Sequence, residues 1–171
     1  LSENRIIGVN LGKNKNTINS IDDYLIGMEQ LGNIASYITI NISSPNTQGL
    51  RDLQLKGNIE NLIKQIVLKR EQIESINKKP ILIKISPDLN DDQLRDIALI
   101  SLANNIDGLI LTNTTTNRSN KLLSTNKNKK GGLSGKPLFE ISNNILRKMY
   151  NLTNGQITLI GVGGISNGSD C

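Results

Sequence analysis

The sequence predicts an α/β protein, part of a (β/α)8 barrel, and two observations carry that reading. Five short apolar runs alternate with stretches of helical period, the mark of successive βα units whose right-handed crossovers give a parallel sheet covered on both faces. Four of the runs end in a polar side chain at the carboxyl end, namely Asn10, Asn41, Lys84 and the pair Thr112 and Asn113, while the fifth ends in Gly163 and Gly164. In a barrel such ends converge on one mouth, where active sites sit. An open doubly wound sheet, the competing architecture, spreads them along a line with its ligand at a switch point.

The elements follow in order. Residues 6–11 form the first strand, broken near Gly12 by a Lys/Asn stretch. Ser20 is placed to cap a helix in which Asp22 and Asp23 favour the first turn, Leu25, Met28 and Leu31 recur at helical spacing, and Gly32 is the stop. Residues 37–42 are rich in β-branched side chains and give the second strand. Between Gly57 and Ile76 the residues Ile59, Leu62, Ile63, Ile66, Val67 and Ile73 mark one helix face. Residues 81–85 are the third strand, and Asn90 with Gln93 has the form of a capping box before Leu94, Ile97, Ala98 and Leu102.

Leu109 to Leu111 supply the fourth strand. Residues 117–130 have no period and read as a mobile excursion, tightened again by Gly131 to Pro137. Ile141, Ile145, Leu146 and Met149 mark a helix, and residues 157–162 the fifth strand, with Ser166 placed to cap whatever helix follows.

At 171 residues and 36% hydrophobic composition the chain is sized for one globular domain. No apolar run approaches a membrane span. The net charge of +5 comes largely from the Lys/Asn-rich residues 121–130, and one Phe with three Tyr leaves little to stack on bases, so no nucleic-acid partner is expected. Histidine is absent, and the one cysteine, Cys171, is the last residue. That excludes an intrachain disulfide framework and an internal zinc cluster, and no metal site is expected. It also leaves serines, lysines and carboxylates to move protons.

Residues 40–49 concentrate the chemistry: a strand runs into Asn41, Ser43, Ser44, Pro45, Asn46 and Thr47. Asn41 and Asn46 each present an amide donor and acceptor, which suits a flat ligand with carbonyl and N–H edges; the same residues are also ordinary turn formers. Lys84 lies among Ile81, Leu82, Ile83 and Ile85, where an unpaired ammonium is costly unless an anion or electron-rich ring meets it, or its stem lets it reach water. Gly163 and Gly164 offer bare amides where a phosphate binds if a helix opens there, and Gly131, Gly132 and Gly135 make backbone approachable or hinge-like. No Gly-x-Gly-x-x-Gly fingerprint and no Walker loop is present.

Six segments in order resemble one family: Gly-Val-Asn-Leu-Gly-Lys-Asn-Lys from Gly8, Asn-Ile-Ser-Ser-Pro-Asn-Thr from Asn41, Ile-Lys-Ile-Ser-Pro-Asp-Leu from Ile83, Asp-Gly-Leu-Ile-Leu-Thr-Asn-Thr-Thr from Asp107, Gly-Gly-Leu-Ser-Gly-Lys-Pro-Leu from Gly131 and Ile-Gly-Val-Gly-Gly-Ile from Ile160. The chain resembles the class 2, quinone-linked dihydroorotate dehydrogenases of pyrimidine synthesis along essentially its whole length. The resemblance implies a flavin mononucleotide (FMN) barrel that oxidises dihydroorotate to orotate, sending a hydride to the flavin and a proton to a serine. By position, Ser44 is that base, and Asn41, Asn46, Asn113 and Thr114 hold the substrate. Asn10, Asn41, Lys84, Thr112, Gly135, Gly163 and Gly164 hold FMN, with Lys84 opposing negative charge on the reduced ring. Serine at position 44 separates this class from the soluble class, which resembles it but carries cysteine there, and Thr47 is close enough in sequence to help a proton leave.

The resemblance further implies that residues 1–171 are the central portion of a single FMN-binding catalytic domain, about five of eight strands, with both ends truncated. Two strands would precede Leu1 and one would follow Cys171. Ubiquinone and the mitochondrial inner membrane would be met through a missing N-terminal region, and the 171 residues alone are expected to be inactive. Competing readings are a soluble fumarate-linked relative, another FMN barrel acting on pyrimidines, or a ligand-binding barrel without catalysis.

Overall fold

A computed structural model of the chain describes residues 5–120 and 122–171; Leu1 and Lys121, which bound two of the sequence readings, lie outside them. Five strands and four α-helices alternate: β1 (Gly8–Leu11), α1 (Ser20–Leu31), β2 (Tyr37–Asn41), α2 (Lys56–Gln72), β3 (Ile81–Ile85), α3 (Asp91–Ala103), β4 (Gly108–Leu111), α4 (Phe139–Thr153) and β5 (Thr158–Gly161). All neighbouring strands pair in parallel, in the order β1-β2-β3-β4-β5. A doubly wound sheet reverses its strand order at a switch point. This one never does, as a barrel wall requires.

Side chains two apart share a sheet face. One face, with Ile38, Ile40, Ile81, Ile83, Ile85, Leu109 and Leu111, packs beneath Tyr24 and Met28 of α1, Ile59, Leu62, Ile63 and Ile66 of α2, Leu94, Ile97 and Ala98 of α3 and Ile145 and Met149 of α4. These side chains are almost wholly buried, and trimming one of the isoleucines to Ala would cost about 2–5 kcal/mol. The other face carries Asn10, Thr39, Asn41, Leu82, Lys84 and Ile110, aligned by the register Asn10↔Thr39↔Leu82 and Asn41↔Lys84↔Ile110. Polar residues thus collect on the face away from the helices, toward the strands' carboxyl ends.

Several local expectations change. Asn19, not Ser20, caps α1, its side chain accepting from the Ile21 amide. Gly32 does stop α1, but with ordinary right-handed backbone; it is glycine because a Cβ would meet Ile76 Cγ2 at 2.7 Å. The Asn90–Gln93 capping box forms as expected, with bonds of 2.9 and 3.0 Å.

No helix opens at Ser166. Asn167 instead caps a three-residue 3-10 turn, and the Asp170 carboxylate already accepts from the amides of Ser166 and Asn167. The excursion after β4 is also anchored. Arg118 donates to the carbonyls of Thr115, Asn117, Lys127, Lys129 and Gly131, and Thr115 bridges to Leu133.

Candidate active site

Parallel pairing brings the ends of β3, β4 and β5 to one cleft of about 370 Å³. Lys84, Thr112, Asn113, Thr114, Gly135, Gly163 and Gly164, all singled out from sequence, line it, together with Ser134, Leu138 and Ile165. Lys84 is half-buried at the β3 end, and among the described residues its ammonium has no hydrogen-bond or carboxylate partner. Such a group is stabilised by an incoming anionic or electron-rich ligand.

Gly163 and Gly164 adopt φ of 141° and 71°, a region that L side chains avoid. Their N–H groups have no acceptor among the described residues, so two successive amides are left for an anion. A Cβ on Gly164 would lie 2.7 Å from the Gly135 carbonyl oxygen and 2.8 Å from the Phe139 amide nitrogen. The turn is therefore closely packed as well as bare.

Beside the cleft, a network joins the β2 and β4 ends. Asn41 Oδ1 accepts from the Ser43 amide at 3.2 Å, Ser43 Oγ at 2.8 Å and Asn113 Nδ2 at 3.3 Å. Asn113 Nδ2 also donates to Ser43 Oγ at 3.0 Å, and its Oδ1 accepts from the Thr114 amide at 2.8 Å. Both ends of the Asn113 amide are thus engaged within the protein, whereas Asn41 Nδ2 donates to nothing among the described residues. Asn113 acts as a brace and Asn41 keeps a free donor.

The two serines separate cleanly. Ser43 is fully buried and bonded on both sides. Ser44 is half-buried, and among the described residues its Oγ receives only a long bond of 3.4 Å from the Asn46 amide. Ser44 keeps a free hydroxyl. Asn46 faces the excursion, since a Cβ on Gly131 would sit 3.5 Å from its Oδ1. Asn10 lies on the same sheet face but outside the cleft, opposite Thr39.

Sequence reasoning missed the supports. Arg51, just after the Asn41–Gly49 turn, and Asp88, in the Ser-Pro-Asp run after β3, form a 2.7 Å ion pair with both side chains largely covered. Burial pushes the Asp88 carboxyl up, but hydrogen bonds from Thr115, Thr116 and Arg51 outweigh it and hold the group below the usual carboxylate range. Tyr24 of α1, whose hydroxyl donates to the Asn41 carbonyl, was missed as well. Asp88 falls within the Ile83–Leu89 segment, but no motif assigns any of the three its supporting role; that needs the fold to be found.

A family model described as dihydroorotate dehydrogenase matches residues 1–171. The dihydroorotate dehydrogenase (quinone) of Parvibaculum lavamentivorans is 48% identical over 165 residues, covering 96% of this chain and 46% of that protein. The mitochondrial dihydroorotate dehydrogenase (quinone) of Mus musculus is 44% identical over 164 residues, covering 96% and 42%. The crystal structure of ligand-free dihydroorotate dehydrogenase from Eimeria tenella is similar at a TM-score of 0.92 and 41% identity, covering 96% of this chain and 49% of that one. The chain spans about half the length of the relatives it matches.

Proposed function

The chain belongs to the dihydroorotate dehydrogenase family, and from that premise we propose that residues 1–171 are the central portion of a single FMN-binding (β/α)8 catalytic domain. On this reading the whole protein oxidises dihydroorotate to orotate in pyrimidine synthesis, with quinone as the final acceptor. The observation that carries it is the convergence in one cleft of a Lys84 ammonium and Gly163 and Gly164 amides that have no partner among the described residues, with Ser43, the residue before Ser44, bonded to Asn113 on the cleft wall.

The family is flavin-dependent, and the residues present fit FMN. Gly163 and Gly164 offer their N–H groups to a phosphate, Thr112 and Gly135 line the cleft between them and the sheet, and Lys84 stands where an anionic ring is stabilised. Asn10 and Asn41 reach the same ligand from β1 and β2. When bound, the flavin supplies a two-electron acceptor. Asn41 through its free Nδ2, Asn46 and Thr114 hold the carbonyl and imide edges of the pyrimidine, and Asn113 supports that contact by bracing Asn41 and Ser43. Ser44 Oγ takes the proton that leaves carbon as the substrate's single bond becomes double, and passes its own hydroxyl proton to solvent, which the half-buried side chain reaches.

Among the described residues no helix is long and apolar enough to cross a membrane; quinone and the mitochondrial inner membrane are met, on this reading, through segments outside these residues. Mitochondrial relatives support that location, and bacterial ones match as well. The test is the absorbance spectrum of the purified full-length protein. It should show bound flavin that bleaches anaerobically on adding dihydroorotate; a colourless protein, or flavin that stays oxidised, overturns the proposal.

A further inference from the structure

Arg51 gathers the loops that follow β2, β3 and β4. Its Nε donates to the Ser43 carbonyl at 3.1 Å and its Nη2 to the Thr114 carbonyl at 2.9 Å. Its Nη1 meets Asp88 Oδ2 at 2.7 Å and Thr116 Oγ1 at 3.4 Å. The Asp88 carboxylate also accepts from Thr115 Oγ1, from the Thr116 amide at 2.8 Å, from Thr116 Oγ1 at 2.9 Å and from Asn117 Nδ2 at 3.1 Å. Both carboxylate oxygens are therefore occupied, which leaves Asp88 no lone pair for proton transfer and makes it a fixed anchor for the guanidinium.

The Ser43 carbonyl belongs to the peptide bond from which Ser44 hangs. Fixing that carbonyl fixes the Ser44 backbone, and fixing the Thr114 carbonyl sets the opposite wall at a constant spacing. Neither Arg51 nor Asp88 lines the cleft. Their influence on a ligand must pass through the loops they hold.

We propose that Arg51, anchored by Asp88, is a positioning residue for the reaction: it sets the distance between the proton acceptor Ser44 and the substrate wall at Thr114. This rests on the reading of Ser44 as the base. Only a planar fork can serve, because the acceptors lie on three separate loops and one lysine nitrogen cannot reach them all in place of Nε, Nη1 and Nη2.

The test uses full-length, flavin-loaded protein and the variants Arg51→Lys, Arg51→Ala and Asp88→Asn. Flavin content, orotate affinity and anaerobic single-turnover flavin reduction by dihydroorotate are measured across pH. Arg51→Lys should slow reduction by roughly 10²-fold, the scale of a small misplacement of reacting groups, while orotate affinity moves by less than about threefold. Asp88→Asn should slow it in the same sense, and guanidinium ion should restore part of the rate in Arg51→Ala. Arg51→Lys reducing within about threefold of the parent, or losing flavin and orotate affinity in step with rate, overturns the inference; should Arg51→Ala fail to fold, the Lys variant decides alone. A parent whose flavin does not bleach overturns the reading of the reaction and this inference with it, so the two failures are told apart by the parent.

Discussion

Tyr24 donates its hydroxyl to the backbone oxygen of Asn41 at 2.9 Å, so a side chain buried on α1 holds the last residue of β2. Burial pushes the phenol well above its ordinary value of 10.0. A raised folded-state value means stability that is whole below the unfolded pKa and is lost as pH rises above it toward the folded one. Stability should therefore fall as pH climbs past about 10, and Tyr24→Phe should remove that alkaline contribution while costing about 0.5–1.5 kcal/mol at neutral pH. Urea unfolding of parent and variant at neutral pH and at about pH 11 checks both signs.

Ser44→Ala should leave flavin content intact and slow flavin reduction by roughly 10² or more, the scale of a lost general base. Ser44→Cys should retain more activity than Ala, with its optimum at lower pH, because a thiolate is reachable near neutrality. Ser43→Ala should do the reverse, weakening orotate binding more than rate by removing the hydroxyl that links Asn41 to Asn113 and leaving only their direct 3.3 Å bond. Anaerobic stopped-flow reduction across a pH series separates the two serines; wild-type reduction in Ser44→Ala would remove it from the chemistry.

Lys84→Met should lower flavin retention and slow its reduction, because the cation proposed to face the ring is gone. The same change should leave the flavin-free protein at least as stable as the parent, since it deletes a half-buried ammonium with no partner among the described residues. Thermal unfolding with and without FMN shows whether the two effects part in this way.

Gly132→Ala should damage substrate recognition from a distance. Its Cβ would fall 1.8 Å from Thr114 Oγ1 and 3.2 Å from Pro45 Cγ, so Thr114, which lines the cleft and is proposed to hold the substrate, must give way. Overpacking of this kind costs about 1–3 kcal/mol, and orotate titration of the flavin spectrum should register it as weaker binding with flavin content unchanged.

The excursion after β4 divides into anchor and decoration. Replacing the exposed Lys127, Lys129 and Lys130 by serine should change flavin reduction by less than about threefold, as exposed charges do little. Arg118→Ala should instead leave five carbonyls without their shared donor and speed protease cleavage in the excursion. Limited proteolysis with an activity assay on both variants settles which half matters.

The strands, the helices and the convergence of Lys84, Thr112, Asn113 and Gly164 were legible because period and polar strand ends depend on local sequence alone. The caps at Asn19 and Asn167 were misread by one residue, since neighbouring Ser, Asn and Asp compete on nearly equal terms for the same amide. The supports at Arg51, Asp88 and Tyr24 were not legible at all. Arg51 and Asp88 are 37 residues apart in sequence and meet only after β3 has paired with β2. Arg118 was hidden differently, because a basic residue in a polar loop looks the same whether it points to solvent or holds backbone carbonyls.

Among the described residues the strand order leaves β1 and β5 each paired on one side only. Ile160 within β5 and Val162 and Ile165 just after it are exposed, so that flank combines open backbone groups with apolar side chains. An uncovered strand with apolar neighbours is a template for another chain. Production of the 171 residues by themselves should therefore yield self-associating material, its solubility limited by these two flanks rather than by the helical layer, and charged substitutions at Ile160 or Val162 should be the first remedy to improve yield.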